Sequence, residues 1–132
     1  MINGSCLCGE ITISVAPCER GAAEACHCTQ CRKQSGHYWT SVDLPDAALT
    51  ITGTPRWYAS SDTAKRGFCG RCGSLLFWKE EGADRTNLSM GAFDGPTGVK
   101  TDMHIFVADK GDYYEIADGL PQHARFGENR DD

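Results

Sequence analysis

The sequence predicts a mainly β fold, built of short antiparallel sheets with cysteine knuckles and little helix. Short runs of alternating or β-branched apolar residues recur along the chain. Turn signals separate these runs, and 15 of the 132 residues are glycine. Most of the eight cysteines stand in close clusters. A chain of this length favours one domain, which we expect over residues 1–125, followed by a polar tail over residues 126–132.

The first strand is the clearest element. Ile11, Ile13 and Val15 alternate with Thr12 and Ser14, which is typical of a strand with one buried face. We expect further strands at residues 37–44, 49–52, 56–59, 74–78, 86–90 and 104–107. No segment carries a sustained apolar stripe of helical period, so helix is expected only as short turns at residues 29–33 and 108–112.

Charge and hydropathy narrow the function classes. The net charge is −5 and the pI about 5.3, without the basic face that nucleic-acid binding requires. No apolar run approaches the ~18 residues of a membrane helix. The chain starts without a basic segment and apolar run of the secretory kind, so we expect a cytoplasmic protein with neither nucleic-acid nor membrane partners.

The cysteines favour metal binding over disulfides. Cytoplasmic thiols stay reduced. Eight cysteines in 132 residues fall below the ~8–10% typical of disulfide scaffolds, and they stand in close pairs whose thiolates converge on one ion. Zinc binds four thiolates in a tetrahedron. The sequence therefore predicts zinc at these clusters.

A closed structural site is expected around Cys69 and Cys72. Two residues between cysteines form a tight turn that directs both sulfurs one way, and Gly70 and Gly73 relieve the crowding of its backbone. The partner pair is either Cys6 with Cys8 or two cysteines of the middle cluster. Cys6 and Cys8 would complete four sulfurs and clip the N-terminus to the middle of the chain.

A second site is expected at Cys26, Cys28 and Cys31. Three protein ligands and one open position are typical of catalytic zinc. Alternatively, Cys18, His27, His37 or a distant histidine closes the site as a second structural one. The ring of His27 lies between two ligands and should turn away from the metal, whereas Cys18 is interpreted as an inert thiol.

The clusters and their surroundings resemble one known family. The residues that carry the resemblance are GSCLCG at 4–9, CHCTQCRKQSG at 26–36, FCGRCGS at 68–74, HIFV at 104–107, Lys110, and DGLP at 118–121. They are similar to the glutathione-dependent formaldehyde-activating enzymes (the GFA or CENP-V/GFA domain family), from about residue 3 to residue 121. The resemblance implies an Mss4-like β-tent fold. It assigns Cys6, Cys8, Cys69 and Cys72 to a structural zinc, and Cys26, Cys28 and Cys31 to a second zinc at the active site.

The resemblance also implies an activity. The founding enzymes form a carbon–sulfur bond between glutathione and formaldehyde, giving S-(hydroxymethyl)glutathione. We therefore expect a carbon–sulfur lyase acting on this adduct or a similar small-molecule thiol, with the zinc of Cys26, Cys28 and Cys31 as the catalytic centre. The alternative is a non-catalytic binding module whose zinc ions only hold the fold. A third reading, thiol–disulfide exchange at the paired cysteines, ranks below both.

Several residues near the second cluster admit two interpretations. Arg32 and Lys33 either meet the carboxylates of glutathione or are solvated cations. The segment 37–39 either lines a pocket beside the metal or packs as part of a strand, and packing is the favoured interpretation. His104 alternates with apolar neighbours, so we expect a hydrogen-bonded structural histidine rather than a catalytic base.

Overall fold

The computed structural model describes residues 1–126, which form two compact units. The first unit holds Met1–Gly21 and Val42–Gly98, and the second holds Ala22–Ser41 and residues 99–126. About 13% of the protein is helical, so the predicted mainly β fold is confirmed. Within residues 1–126, no helix has both the length and the apolar character needed to cross a membrane.

Ten strands and one α-helix are assigned in this part of the chain. They are β1 (Ile2–Ser5), β2 (Thr12–Val15), β3 (Ala23–Cys26), α1 (Thr29–Ser35), β4 (Trp39–Pro45), β5 (Leu49–Thr52), β6 (Arg56–Ala59), β7 (Ala64–Phe68), β8 (Leu75–Glu80), β9 (Arg85–Ser89) and β10 (Met103–Ile105). Short 3₁₀ turns occur at Asp46–Ala48, Met90–Ala92 and Val107–Asp109.

The first unit contains a three-stranded antiparallel sheet in the order β1-β2-β5. Ile13 and Val15 of β2 are buried while Thr12 is exposed, as the alternating sequence predicts. Gly4 of β1 lies so close to the 3₁₀ turn that follows β9 that a Cβ would stand 2.3 Å from the carbonyl oxygen of Ala92. A glycine is therefore required for this approach.

The same unit contains the antiparallel order β9-β8-β7-β6. Gly67 of β7 faces two aromatic rings, since a Cβ there would stand 2.9 Å from both Phe77 and Trp57. Those rings stack with centroids 5.8 Å apart, and Phe77 is fully buried. The missing side chain thus makes room for this pair of rings, of which Phe77 is buried and Trp57 is exposed.

The second unit is built on a parallel pair, β3 with β10, in which His104 lies opposite Ala25 and Ile105 opposite Cys26. Helix α1 follows β3 closely. Cys28 is its N-cap, and Gly36 ends it in the left-handed conformation (φ 83°), with the Gly36 N–H donating to the Arg32 carbonyl at 2.8 Å. Cys26, Cys28 and Cys31 therefore lie where β3 passes into α1.

Most expected elements are present, with shifted ends. The strand expected at 37–44 begins at Trp39, because the left-handed Gly36 turns the chain before it. The strand expected at 104–107 ends at Ile105, where Phe106 adopts a positive φ of 55° and a 3₁₀ turn follows. Three strands were not expected, namely β1, β3 and β7.

Those three strands are rich in residues that disfavour strands in isolation. β3 reads AEAC, β7 reads AKRGF and β1 reads INGS. Alanine, glycine, asparagine, lysine and glutamate are all depleted in strands, so tertiary pairing overrides local preference here. Residues 127–132 of the expected polar tail lie outside the described residues. The one-domain boundary and the cytoplasmic location stay predictions.

Candidate metal centres

Four cysteines of the first unit converge at one point. Cys6 and Cys8 lie between β1 and β2, and Cys69 and Cys72 lie between β7 and β8. Their four Sγ atoms are all within 4.8 Å of one another, with Cys6–Cys8 at 3.6 Å and Cys8–Cys69 at 3.8 Å. Four sulfurs 2.3 Å from a central zinc would be about 3.8 Å apart. The donor set therefore fits a tetrahedral thiolate site.

Backbone N–H groups point at the sulfurs of this cluster. Ile11 donates to Cys6 Sγ at 3.3 Å, while Arg71 and Cys72 donate to Cys69 Sγ at 3.4 and 3.5 Å. Burial acts to raise the pKa of Cys6, but the Ile11 N–H and then the thiols of Cys8 and Cys69 lower it, which favours the thiolate, the form that binds metal. The turn that holds Cys69 and Cys72 is closed by a hydrogen bond of 2.8 Å from the Gly73 N–H to the Cys69 carbonyl. Gly73 has a positive φ of 80°.

Ser74 connects the Cys6–Cys8 turn to the Cys69–Cys72 turn through hydrogen bonds. Its Oγ accepts the Leu7 N–H at 2.9 Å and lies 3.2 Å from Cys72 Sγ. Hydrogen bonds from the Ser74 hydroxyl and then its backbone lower the pKa of Cys72 to about 5. Ser74 thus joins the Cys6–Cys8 turn to Cys72 through one hydroxyl, a contact that the sequence did not indicate.

Three cysteines of the second unit form the other cluster. Cys26 ends β3, Cys28 caps α1, and Cys31 lies in its first turn. Their Sγ atoms are within 4.8 Å of one another, and the Cys31 N–H donates to Cys28 Sγ at 3.3 Å. Within residues 1–126, no fourth cysteine, histidine or carboxylate ligand atom joins this group.

The electrostatics of this cluster favour a cation. Contacts with the thiols of Cys28 and then Cys31 raise the pKa of Cys26 far above its ordinary value. Crowded thiols resist losing their protons because the resulting thiolates repel one another. A positive ion between them removes that repulsion, so the three sulfurs fit a metal ion that supplies the missing charge.

The residues weighed as a fourth ligand lie elsewhere. Cys18 is exposed and belongs to neither cluster. His37 packs against aromatic rings, with its ring centroid 4.2 Å from that of Tyr114. Both nitrogens of His27 are engaged by Tyr114 and His104, so the prediction that its ring turns away from the metal is confirmed.

His27 belongs to a buried hydrogen-bond chain. Its Nδ1 lies 2.6 Å from the Tyr114 hydroxyl and its Nε2 lies 2.8 Å from His104 Nδ1. The Nε2 of His104 lies 2.7 Å from Asp118 Oδ2. His104 is therefore hydrogen-bonded at both ring nitrogens, as expected, and its structural role stays a prediction.

The charge states of this chain follow from its surroundings. Burial, and then the neighbouring His104, lower the pKa of His27 to about 4, so that its imidazole is neutral at pH 7. Hydrogen bonds from His104 and then the Leu120 N–H lower the pKa of Asp118. Burial raises the pKa of Tyr114, whose hydroxyl keeps its proton.

Sequence reasoning considered His27 and His104 individually, included Asp118 only as part of the DGLP motif, and gave no role to Tyr114 or Asp118. Both missed residues lie in the loop after Val107–Asp109, where no periodicity places them. The segment 37–39 divides as follows: the Tyr38 ring packs 4.7 Å from His27, and Trp39 is buried, as the packing interpretation predicts. Arg32 and Lys33 form the basic last turn of α1, with Arg32 half-buried and Lys33 exposed.

Comparisons with known proteins agree with this arrangement. The family model described as glutathione-dependent formaldehyde-activating enzyme matches residues 1–109. A Schizosaccharomyces pombe protein named as an uncharacterized lyase is 31% identical over 124 residues, a match covering 87% of this chain and 85% of the relative. A crystal structure of a Rhodobacter sphaeroides protein is 22% identical and shows the same fold, with a TM-score of 0.60 over 73% of this chain and 91% of that one. Because the family model and the relative each span most of the chain, this protein belongs to the glutathione-dependent formaldehyde-activating enzyme family.

Proposed function

We propose that this protein is a carbon–sulfur lyase that makes and breaks a glutathione–aldehyde adduct, such as S-(hydroxymethyl)glutathione, or the adduct of a similar thiol. The observation that carries the proposal is the cluster of Cys26, Cys28 and Cys31, which no fourth protein ligand joins within residues 1–126. Family membership and the relative named as a lyase support the reaction class. The thiol substrate would supply the fourth sulfur.

The two cysteine clusters would have different roles, one structural and one in binding the substrate. The four sulfurs of Cys6, Cys8, Cys69 and Cys72 would fill all positions of a tetrahedral zinc ion, so this site would be structural. The three-cysteine cluster leaves one position for a ligand from outside. Zinc bound there would lower the pKa of a coordinating thiol and hold it as a thiolate at neutral pH.

The reaction is an addition that balances without an oxidant or reductant. The substrate sulfur donates an electron pair to the aldehyde carbon, and a carbon–sulfur bond forms. The carbonyl π pair moves to oxygen, which takes up the proton that the thiol released. The reverse reaction breaks the carbon–sulfur bond and returns thiol and aldehyde, which is the lyase direction.

The chain's own residues around the cluster suit a thiol peptide with carboxylates. Cys31 is buried and its N–H supports the sulfur of Cys28, so the ligand geometry is set by the backbone of α1. Arg32 and Lys33 directly follow Cys31 in the same helix. In the proposed complex, their side chains would meet the carboxylates of glutathione.

The test is exchange between formaldehyde and its glutathione adduct. Carbon-13 formaldehyde and glutathione are mixed at equilibrium, and NMR exchange spectroscopy measures the interconversion rate with zinc-loaded protein. We expect acceleration by the wild-type protein and by Cys18→Ser, whose thiol is exposed and outside both clusters. In Cys28→Ser, the acceleration should be at least about tenfold smaller than in the wild type, because one of the three ligands is missing.

The outcomes separate the proposal from its rivals. If neither the wild-type protein nor the variants accelerate the interconversion, and glutathione does not change the spectrum of the bound metal, the protein is a non-catalytic zinc module. Acceleration that survives complete zinc removal would identify cysteine redox or exchange chemistry instead. Equal acceleration by wild type and Cys28→Ser would place the reaction outside the three-cysteine cluster.

A further inference from the structure

The strongest feature outside the metal ligands is the buried chain Tyr114–His27–His104–Asp118. Its three links measure 2.6, 2.8 and 2.7 Å, all within hydrogen-bond distance. Both imidazoles are almost fully buried, with exposed fractions of 0% for His27 and 2% for His104. The side chain of Asp118 is 46% exposed, so the chain runs from the interior to solvent.

The carboxylate of Asp118 determines which group donates and which accepts at each hydrogen bond of the chain. An ionised carboxylate can only accept, so His104 carries a proton on Nε2 and donates it to Asp118. When His104 is neutral, its Nδ1 is an acceptor, and His27 must donate to it from Nε2. The Nδ1 of His27 then accepts from the Tyr114 hydroxyl.

The chain is attached to the three-cysteine cluster through His27. This residue stands between Cys26 and Cys28 in the sequence, and its backbone N–H donates to the Ile105 carbonyl at 3.0 Å. Its ring is held by two hydrogen bonds and by Tyr38, whose centroid lies 4.7 Å away. A residue fixed at backbone and side chain fixes the peptide units on both sides of it.

The Tyr114 end of the chain is connected to helix α1 through the neighbouring residue Tyr113. The Tyr113 hydroxyl donates to the carbonyl of Gly36, the residue that caps this helix, at 3.1 Å. The segment that holds Tyr114 is thus fixed to α1, the helix that contains Cys31 and has Cys28 as its N-cap.

We propose that Asp118 is a positioning residue for the three-cysteine site. By fixing the direction of the hydrogen-bond chain, it holds His27, and with it the segment from Cys26 to Cys28, in the arrangement that brings the sulfurs together. The inference rests on the proposed function in one respect only, in that the site it positions is the proposed reaction site. The ligand concerned is a thiophilic divalent cation.

The decisive variant is Asp118→Asn, which has the same shape but can donate as well as accept. Asparagine permits the opposite direction, in which His104 accepts at Nε2 and donates from Nδ1. The matched control is Glu115→Gln, which removes an exposed carboxylate from the same loop. Asp118→Glu restores a carboxylate and should recover part of the effect.

Two readouts are required, neither of which is enzyme activity. Proton–nitrogen NMR of the histidine rings in zinc-loaded protein should show the Nε2–H tautomer for both His27 and His104. Asp118→Asn should populate the Nδ1–H tautomer of His104. Competition with a chromophoric chelator should show that zinc affinity at the three-cysteine site falls about tenfold in Asp118→Asn, with no change at the four-cysteine site or in Glu115→Gln.

The proposal is overturned if the wild-type rings show other tautomers, or if Asp118→Asn leaves the zinc affinity of the three-cysteine site unchanged. It is also overturned if Asp118→Glu and Asp118→Asn behave alike. These results are independent of the reaction. If tautomers and affinity change as expected in a protein without lyase activity, the proposed function fails and the positioning role stands.

Discussion

For His27, the sequence predicts the direction of the ring but not its hydrogen-bond partners. Its place between two cysteines predicted a ring turned away from the metal, because successive side chains of an extended segment point to opposite sides. The structure confirms this. The partners could not be predicted, since Tyr114 is 87 positions away in a loop without periodic pattern. A hydrogen bond of this kind depends on the folded chain and leaves no spacing signal.

At this scale, we expect Tyr114→Phe to destabilise the protein by about 1–3 kcal/mol, because it leaves His27 Nδ1 buried without a partner. The neighbouring Tyr113→Phe is the control. The Tyr113 hydroxyl donates to the Gly36 carbonyl but lies at the surface, so its loss should cost less. Urea unfolding of both zinc-loaded variants measures the difference, and equal losses would contradict the buried-chain account.

Among the elements, the cysteine knuckles were the most predictable and the strands of mixed composition the least. The Cys69–Cys72 turn was expected from its spacing and glycines, and Gly73 has the left-handed backbone that such a turn needs. Strand β7 was missed because its residues 65–67 read Lys-Arg-Gly, which is a poor strand former in isolation. Its place is fixed by pairing on both sides, with β6 and β8. Spacing thus predicts a local turn, whereas a strand held by its neighbours needs the whole sheet.

One contact within the knuckles gives a prediction at the scale of elements. Ser74→Ala removes the hydroxyl that accepts the Leu7 N–H and supports Cys72 Sγ. We expect a loss of about 1–2 kcal/mol in the free energy of unfolding and faster zinc release from the four-cysteine site to a chelator. Ser89→Ala is the control, because Ser89 and Ser74 both line a cavity beside Cys6. Equal zinc release in the two variants would show that Ser74 does not join the turns.

For the whole molecule, the partition of the cysteines into two sites is the main result. Spacing alone left open which pair joins Cys69 and Cys72. The structure brings Cys6 and Cys8 to them, and groups Cys26, Cys28 and Cys31 separately. The family resemblance implied the same partition. No sequence pattern indicated the hydrogen-bond chain, because only the folded chain brings Tyr114 to His27 and Asp118 to His104.

This partition predicts that the two sites respond differently to substitution. Cys69→Ser should prevent stable folding, because structural zinc contributes folding free energy directly, about 10 kcal/mol or more in zinc-finger peptides. Cys28→Ser should give a folded protein with about one zinc ion fewer per chain. Circular dichroism and metal analysis of the purified variants measure both effects. If both variants unfold to the same extent, the division into a structural and a reactive site is wrong.

The central claim is that the three-cysteine site accepts a thiol as its fourth ligand. Cobalt(II) in place of zinc makes this visible, since each thiolate bound to it adds sulfur-to-metal charge-transfer absorption. Titration of the cobalt-loaded protein with reduced glutathione should give a saturable rise in this absorption, and Cys28→Ser should lose the rise while its four-cysteine site keeps its own spectrum. A wild-type spectrum that glutathione leaves unchanged would contradict the account.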